Sequence, residues 1–248
     1  MSNRLSSFLK KKLFGGRRNL VSLDEPYAAM ARLLKRSTVT GILDAGASNG
    51  HISQRLLGWF PRATAYAFEP NPLYAQTLQD LNRRDPRIRP QFVAISDRVG
   101  REQLHFTESP GATSLLKPAD RIQDVAPTGG AVKETGEVDV VTIDEWAARN
   151  GGPSIELMKF DIQGAELKAL RGAEKVLRGS TLLVYAEVWF NAVYEGSPLY
   201  GEIDAFLRTQ GFSLYDIYKP KYDPHGLLVY ADAIFLNLAK VPLQRGCH

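Results

Sequence analysis

Residues 41–70, GILDAGASNGHISQRLLGWFPRATAYAFEP, decide the fold. Apolar residues lead into Asp44, and Gly46 and Gly50 then bracket a turn whose small residues let the backbone approach a ligand closely. A helical segment and a second apolar strand follow. That strand ends at Glu69, whose carboxylate can accept both hydrogen bonds from a ribose diol. The order of strand, loop, helix, strand and acid predicts an α/β unit that binds an adenosyl cofactor.

The charge of this loop indicates its ligand. Dinucleotide enzymes use the pattern G-x-G-x-x-G to bring a pyrophosphate to a helix N-terminus, whereas this loop reads D-x-G-x-x-x-G. Because Asp44 would repel a pyrophosphate, it favours a ligand with positive charge. S-adenosylmethionine carries an ammonium and a sulfonium, and the loop resembles motif I of Rossmann-like methyltransferases. The alternative is an ordinary strand-to-helix turn in which glycine serves geometry alone.

Length and composition predict one α/β domain in a reducing compartment. The chain has 248 residues, 44% of them hydrophobic, which is enough for a sizeable core. Its single cysteine, Cys247, excludes a disulfide framework and a cysteine-based metal cluster. Since no run of 18 apolar residues and no signal-peptide pattern occurs, we expect a cytoplasmic protein, soluble or peripheral to the inner face of the membrane.

Basic residues are concentrated at the start of the chain, although the formal net charge is only +4. In residues 1–18, lysine and arginine alternate with leucine and phenylalanine near helical spacing, which is typical of an amphipathic helix on anionic lipid. A frayed or domain-packed helix with a solvated basic side is the alternative. Nucleic acid is not expected as a partner, because no nucleic-acid motif accompanies the basic run. We divide the chain into an N-terminal extension (1–38), a domain (39–238) and a tail (239–248).

The sequence after Glu69 continues the alternation of helices and strands. Residues 71–82 predict a helix with proline in its first turn, and residues 91–95 predict a third strand. That strand ends at Ser96 and Asp97, where the adenine of the cofactor would lie.

Residues 100–144 are typical of an insertion and not of a second domain. Shorter strands are predicted there at residues 103–106 and 138–143, separated by a stretch that contains glycine and proline. Within that stretch, residues 111–115 either fold over the active site or form a simple surface loop.

The second informative block is IELMKFDIQGAELKALRGAEKVL, residues 155–177. A buried strand is predicted at residues 157–160, with Asp161 at its carboxyl end and a helix that opens at Gly164. Another apolar strand carries Glu187 near its end. Because chemistry in open α/β sheets occurs outside the carboxyl ends of strands, both acids are candidate site residues. The strand that carries Glu187 is predicted at residues 181–188, and the last two strands are predicted at residues 212–217 and 231–236.

With these residues in view, the chain resembles the FkbM family of S-adenosylmethionine-dependent methyltransferases over roughly residues 39–236. The resemblance rests on the ordered motifs DAGASNG at 44–50, AFEPNP at 67–72, VAISD at 93–97, VVTIDEW at 140–146, MKFDIQGAELKALRGA at 158–173 and AEV at 186–188. It implies a Rossmann-like class I fold, with a seven-stranded, mostly parallel sheet, one antiparallel strand and helices on both faces. It also implies O-methylation of hydroxyls on sugars or natural products, and bacterial members often modify glycans or glycolipids.

The chain departs from the family pattern at two places. Family members commonly carry Glu where this chain has Gln163, so a role that requires a carboxylate there is not carried over, although the neutral amide can still form hydrogen bonds. The first motif reads Ala47-Ser48-Asn49 where many relatives have Ala-Asn-x, which leaves the polar contact to the methionine moiety open.

The residues expected to bind S-adenosylmethionine lie in the first loop and at the ends of the second, third and later strands. They are Asp44, Gly46, Ala47, Ser48, Asn49, Gly50, Glu69, Pro70, Asn71, Ser96, Asp97 and Asp161.

Methyl transfer requires alignment of an acceptor oxygen with the activated carbon and removal of its proton. Alignment supplies much of the acceleration, and a general base typically contributes ~10²–10⁴-fold. Asp161, Glu187 and Glu166 are the candidates for that base or for orienting the acceptor, with cofactor binding or helix capping as the alternative role for each. Paired carboxylates could also hold Mg²⁺, but a metal is not favoured, because no compact ligand motif is present.

Histidines and aromatic residues give weaker signals. His51 follows the glycine loop and could approach the methionine end of the cofactor, although a structural role in the first helical turn is favoured. His225 lies in a loop rich in proline and glycine that is either exposed or at the border of the acceptor pocket. Trp189, Phe190 and Tyr194 could form a stacking wall for a sugar ring or pack into the core.

Three classes of function remain open. The leading hypothesis is an O-methyltransferase that acts on a sugar, a glycan or a glycosylated metabolite. A methyltransferase for the hydroxyl of a non-sugar small molecule or lipid is the nearest alternative, and a noncatalytic cofactor-binding protein is the third. The fold alone does not separate them, and the sequence predicts neither the acceptor position nor the oligomeric state.

Overall fold

The structure is a computed structural model that describes residues 25–243. The basic segment at residues 1–18 and Cys247 lie outside the described residues, so the predictions made for them are not addressed by it. The α-helices are α1 (Pro26–Leu34), α2 (His51–Trp59), α3 (Ala75–Arg84), α4 (Ile143–Arg149), α5 (Glu166–Arg171), α6 (Glu174–Gly179) and α7 (Tyr200–Thr209). The strands are β1 (Gly41–Ala45), β2 (Thr64–Phe68), β3 (Ile88–Gln91), β4 (Ala94–Ile95), β5 (Gly100–Thr107), β6 (Val132–Val141), β7 (Leu157–Phe160), β8 (Leu183–Trp189), β9 (Phe212–Tyr222) and β10 (Leu228–Asn237).

Seven strands form the main sheet in the order β3-β2-β1-β7-β8-β10-β9. Within this sheet the neighbouring strands β3, β2, β1, β7 and β8 pair in parallel, whereas β10 is antiparallel to both β8 and β9. The expectation of a mostly parallel sheet with one reversed strand is confirmed. The carboxyl ends of β1, β2, β7 and β8 therefore lie at one edge, where the loops that follow them meet.

Helices cover both faces of this sheet. Leu56 of α2 and Leu78 of α3 belong to one buried apolar cluster with inward residues of the strands, and α1 contributes Met30 to it. The opposite cluster receives Leu170 of α5 and Leu207 of α7. Because both faces are covered, the central strands read as continuous apolar runs and not as alternating patterns. The predicted class I α/β fold is confirmed.

The first described helix packs against the domain. Tyr27 and Met30 of α1 are buried in the same cluster as the sheet residues. Glu25 caps this helix by accepting a hydrogen bond from the backbone N–H of Ala28 at 2.9 Å. The boundaries placed at residues 38 and 239 stay predictions.

The strand predicted at residues 91–95 is wrong in its extent. The chain leaves the main sheet after Gln91, and only Ala94 and Ile95 pair again, with β6 in a three-stranded sheet of order β4-β6-β5. β3 is the edge strand of the main sheet, a position that tolerates Pro90. The predicted apolar run thus belongs to two sheets.

The strand predicted at residues 138–143 extends further back and ends earlier than expected. β6 pairs with β5 along its length in antiparallel orientation, and α4 begins at Ile143. The reason is a helix cap, since the hydroxyl of Thr142 accepts a hydrogen bond from the backbone N–H of Glu145 at 3.1 Å.

The helix predicted to open at Gly164 is two short helices, α5 and α6. They are separated near Gly172, where an added Cβ would lie 2.3 Å from the carbonyl oxygen of Ser96. Glycine there lets the helix pair pack closely against the segment after β4. The apolar side chains of this region are nonetheless buried, among them Leu167 and Leu177.

Candidate active site

A cavity of about 230 Å³ lies at the carboxyl edge of the main sheet. Its walls come from the loop after β1, the end of β2, the β4 segment, residues 110–115 and the turn after β7. The lining residues are Ala45, Gly46, Ser48, Phe68, Glu69, Pro70, Tyr74, Val93, Ala94, Ile95, Leu104, Pro110, Gly111, Thr113, Ser114, Leu115, Asp161, Ile162, Gln163 and Ala165.

Gly46 lets the first loop pack tightly against the neighbouring strand end. Its φ angle is +74°, and an added Cβ would lie 1.9 Å from the carbonyl oxygen of Asp161. The backbone N–H groups of Gly46 and Ala47 both donate to the carbonyl oxygen of Phe68 at 3.0 Å. The loop is therefore held between β2 and β7, as a close approach of backbone to ligand requires.

The other residues of the first motif have different positions. Ser48 lines the cavity, whereas Ala47 is buried beneath the loop. Asn49 is exposed, and its side-chain oxygen accepts a hydrogen bond from the backbone N–H of His51 at 3.1 Å. Gly50 caps α2 with φ +76°, and an added Cβ would lie 2.5 Å from a methyl of Leu81. For Ala47, Asn49 and Gly50 the structure indicates support of the loop, and cofactor contact stays a prediction.

Glu69 lines the cavity at the end of β2, as the sequence predicts. Its two carboxylate oxygens accept hydrogen bonds from the backbone N–H groups of Ser48 and Asn71, each at 2.8 Å. Burial raises the pKa of Glu69, while these backbone hydrogen bonds oppose that shift. Because a carboxylate oxygen has more than one lone pair, both oxygens remain able to accept from a ribose diol.

Asp44 is fully buried under the loop and does not line the cavity. It accepts a hydrogen bond from the hydroxyl of Ser53 at 2.6 Å and forms an ion pair with Lys159 at 3.1 Å. The charge expected to attract the cofactor's cation is thus balanced by a cation of the protein itself. A direct contact between Asp44 and S-adenosylmethionine stays a prediction.

Lys159 connects the cofactor loop to the candidate catalytic edge, although the sequence reasoning did not single it out. Its ammonium donates to the carbonyl oxygens of Ala45 and Gly46 at 3.2 and 2.9 Å and lies 3.9 Å from a carboxylate oxygen of Asp161. Burial alone lowers the pKa of a lysine, but the carboxylates of Asp44 and Asp161 raise the pKa of Lys159 above its usual value. A lysine within an apolar strand is the sequence signal that could have drawn attention to it, and the structure places this lysine in register with Asp44 on β1.

The adenine end of the predicted site is only partly matched. Pro70 lines the cavity, and Asn71 is buried beside it, where its side-chain oxygen accepts from the backbone N–H of Leu73 at 3.0 Å. Ser96 is buried, and its hydroxyl donates to Glu102 at 2.6 Å. Asp97 is exposed. Neither Ser96 nor Asp97 lines the cavity, so their contact with adenine stays a prediction.

Asp161 and Glu187 meet at the side chain of Gln163. The side-chain nitrogen of Gln163 donates to Asp161 at 2.8 Å and to Glu187 at 3.2 Å. Asp161 lines the cavity, and 45% of its side chain is exposed, whereas Glu187 is 7% exposed and lies behind Gln163. The expected convergence of the two carboxylates is present, but of the two only Asp161 reaches the cavity.

Glu187 and Glu166 are both buried, but their carboxyl groups have different hydrogen-bond partners. Burial raises the pKa of Glu187 well above its usual value, and the carboxylates of Asp161, Glu166 and Asp232 add to this, while Lys159 opposes it. Burial also raises the pKa of Glu166, to about 7. One oxygen of Glu166 accepts from the backbone N–H of Ile162 at 2.9 Å. Glu166 does not line the cavity, so this contact supports the capping role, and catalysis by Glu166 stays a prediction.

Residues 110–115 form a cap over the cavity, a position that agrees with the first of the two interpretations given for residues 111–115. Five of these residues line it. The hydroxyl of Ser114 donates to the backbone carbonyl of Gln163 at 2.7 Å. The hydroxyl of Tyr194 lies 3.0 Å from the carbonyl oxygen of Ala112.

The histidines and aromatic residues follow their structural alternatives. His51 and His225 are exposed and do not line the cavity. Trp189 and Tyr194 are buried in an apolar cluster, and Phe190 stacks on the ring of another tyrosine. The stacking wall for a sugar ring is therefore not formed by these side chains on the described cavity, although the hydroxyl of Tyr194 contacts Gln163, which lines it.

Two further properties concern only residues 25–243. No group of three or more histidine, cysteine, aspartate or glutamate side chains in that range is arranged to hold a metal ion. No helix described there has the length and apolar character needed to cross a bilayer.

Known proteins resemble the chain over the region that contains this cavity. The family model described as "Methyltransferase FkbM domain" matches residues 44–214. The 2-O-methyltransferase NoeI of Sinorhizobium fredii (strain NBRC 101917 / NGR234) is 31% identical over 173 residues, which are 66% of this chain and 69% of that protein. The 31-O-demethyl-FK506 methyltransferase FkbM of Streptomyces tacrolimicus is 26% identical over 193 residues, covering 70% of this chain and 72% of that protein.

A solved structure supports the fold. Methyltransferase FkbM from Methylobacillus flagellatus KT superposes with a TM-score of 0.50 at 18% identity, covering 85% of this chain and 48% of that chain. This chain therefore spans about half the length of that protein. Since the family model covers more than half of this chain and includes its glycine loop, Glu69 and Asp161, the chain belongs to the FkbM family of S-adenosylmethionine-dependent methyltransferases.

Proposed function

We propose that the protein transfers a methyl group from S-adenosylmethionine to a hydroxyl of a sugar, a glycan or a glycosylated metabolite. The observation that carries the proposal is the position of Asp161, a half-exposed carboxylate on the wall of the cofactor cavity. The names of two relatives, a 2-O-methyltransferase and a 31-O-demethyl-FK506 methyltransferase, support an oxygen acceptor.

The residues of the cavity fit the cofactor. Phe68, Val93, Ile95 and Leu104 supply apolar surface for the adenine, and Glu69 supplies paired acceptors for the ribose diol. The cationic methionine end would be favoured by the carboxylate of Asp161. The bound cofactor would supply an activated methyl group.

The protein's own residues then have to orient the acceptor and take its proton. Asp161 is the favoured general base, because its carboxylate lines the cavity while Glu187 and Glu166 do not. Lys159 sets the position of Asp161 relative to the loop through its contacts with both. Glu187 acts on the acceptor through the side chain of Gln163 and not by direct contact.

The alternative acceptor is a hydroxyl of a non-sugar natural product or lipid. The name of the Streptomyces relative, a methyltransferase for 31-O-demethyl-FK506, favours it. Both acceptors need the same base, so the cavity does not separate them.

A methyl-transfer screen tests the proposal. The protein is incubated with S-adenosylmethionine labelled in its methyl group and with matched panels of saccharides, lipids and phenols. Label in an ether on a saccharide supports the proposal, and label confined to lipids or phenols would replace it by the alternative. Cofactor binding without transfer to any panel would favour the noncatalytic class.

Residues 1–18 belong to a second proposal, which rests on sequence alone. Their alternation of basic and apolar residues supports peripheral association with an anionic membrane, on the inner face of which a cytoplasmic enzyme would meet glycolipid acceptors.

A further inference from the structure

The side chain of Gln163 uses its hydrogen-bonding groups on three different partners. Its nitrogen donates to a carboxylate oxygen of Asp161 at 2.8 Å and to one of Glu187 at 3.2 Å. Its oxygen accepts from the hydroxyl of Tyr194 at 2.9 Å. An amide has two N–H donors and one acceptor oxygen. Both donors are therefore engaged by acids, and the orientation of the amide is set by its partners.

The backbone of the same residue is held by the cap over the cavity. The carbonyl oxygen of Gln163 accepts from the hydroxyl of Ser114 at 2.7 Å. The φ angle of Gln163 is +58°, an uncommon value for a side chain other than glycine. Tyr194 also reaches the cap, since its hydroxyl lies 3.0 Å from the carbonyl oxygen of Ala112. Gln163 thus joins the cap to the two carboxylates.

The electrostatic surroundings favour a neutral donor at this position. Besides Asp161, the carboxyls of Glu166 on α5 and Asp232 on β10 face Glu187, and the hydroxyls of Tyr194 and Tyr230 lie near it. The charged group that opposes them is the ammonium of Lys159 on β7. A glutamate in place of Gln163 would add a further negative charge and offer no donor when ionised.

We infer that Gln163 is a positioning residue whose amide clamps Asp161 and Glu187 together and joins them to the cap, so that Asp161 faces the cavity in one orientation. The catalytic meaning of the clamp rests on the proposed function. The clamp itself can be tested without cofactor or acceptor, so failure of the methyl-transfer screen and failure of the clamp are distinguishable results.

The test measures the thermal midpoint of the whole protein at pH 5 to 8 for the wild type and for Gln163→Glu. At pH 8 we expect the variant to unfold about 5 °C or more below the wild type, because hydrogen bonds to charged groups are lost and a third carboxylate is added. The new acid cluster binds a proton more readily in the folded than in the unfolded state. The deficit should therefore grow as the pH rises.

A matched control is available on α3. The side-chain nitrogen of Gln76 donates to Asp80 at 3.0 Å, but Gln76 is exposed. Gln76→Glu makes the same chemical change beside a carboxylate in solvent, where we expect a small midpoint shift with little pH dependence.

Rescue distinguishes the clamp from general damage to the fold. In the double variant Gln163→Glu with Glu187→Gln, the cluster again holds one amide and two carboxyl groups, and the new amide at position 187 can donate to the new carboxylate at position 163, so part of the lost midpoint at pH 8 should return. Titration with S-adenosylmethionine runs in parallel as the separate readout for the proposed function. A double variant no more stable than Gln163→Glu, including the case in which neither folds, would overturn the clamp. So would a Gln163→Glu deficit that does not change with pH.

Discussion

Asp161 and Glu166 are five residues apart in the chain after β7, and Glu187 lies on the neighbouring strand β8. The surroundings of these three carboxyl groups nevertheless differ. Asp161 is half-exposed on the cavity wall, whereas Glu166 and Glu187 are buried and have raised pKa values. Environment assigns different tasks to chemically similar acids. On this basis Asp161 is expected to take the acceptor proton, and Glu166 to hold the turn after β7.

Asp161→Asn keeps the shape of the side chain and removes its ability to accept a proton. We expect the rate of methyl transfer to fall by ~10²–10⁴-fold, with a much smaller change in cofactor affinity. Single-turnover kinetics and cofactor titration measure the two quantities on an acceptor found by the screen. Glu187→Gln should reduce the rate less, because it contacts Gln163 and does not line the cavity. Near-native rates for both variants would leave neither carboxylate as the base.

Glu166→Gln tests the pKa of a fully buried acid. Since burial raises the pKa of Glu166 to about 7, the folded state binds more protons than the unfolded state between its ordinary value and pH 7. Stability should therefore fall as the pH rises through this window, by roughly 3 kcal/mol for a shift of this size. The variant keeps the oxygen that accepts from Ile162 but has no carboxyl group to titrate, so its loss of stability between pH 5 and 7.5 should be smaller. Urea unfolding at the two pH values compares them, and parallel pH dependence would refute the raised pKa.

At the level of single residues, the sequence predicts those that follow a strand end. Glu69 and Asp161 were predicted from their positions alone, and both line the cavity. Lys159 escaped prediction because its partner, Asp44, is more than one hundred residues away in the chain. The pairing becomes visible only when β7 is known to lie beside β1.

The loop after β1 depends on a glycine with no space for a side chain. In Gly46→Ala, the added carbon would meet the carbonyl oxygen of Asp161 at 1.9 Å, at a φ angle of +74°. We expect a loss of unfolding free energy of about 2 kcal/mol or more and weaker cofactor binding. Gly58→Ala on α2 is the matched control, because nothing lies within 4 Å of an added Cβ there, and it should be neutral or slightly stabilising. Equal effects of the two substitutions in urea unfolding would contradict the role of Gly46.

Secondary structure elements were predicted best where apolar residues form a continuous run. The strands around residues 41–45 and 157–160 were found, because burial on both faces gives continuous apolar runs. The sequence at 91–95 has the same apolar character but belongs to two sheets. The choice between them depends on β6, which is some 40 residues away. The sequence also left open whether residues 111–115 fold over the site. The reason is the same, because Gln163, the residue that anchors this segment, is far away in the chain.

For the whole molecule, residues 1–18 carry a prediction that lies outside the described residues. Deleting them should weaken binding to vesicles that contain anionic lipid, because a basic segment near the surface contributes about 1 kcal/mol per lysine or arginine. Turnover of a water-soluble acceptor should stay similar. Co-sedimentation with anionic and neutral vesicles measures the difference. Equal sedimentation of the truncated and intact chains with anionic vesicles would defeat the prediction.

The central claim is that the loop after β1, the end of β2 and the turn after β7 together form the cofactor site. Calorimetric titration of S-adenosylmethionine into the intact protein, Glu69→Ala and the control Glu174→Ala tests it most directly. Glu174 lies on α6 and pairs with Arg178 outside the cavity. We predict binding to the wild type and to the control with similar affinity, and a loss of about 1.5–3 kcal/mol for Glu69→Ala. Unchanged affinity in folded Glu69→Ala, or no binding to the wild type, would contradict the account.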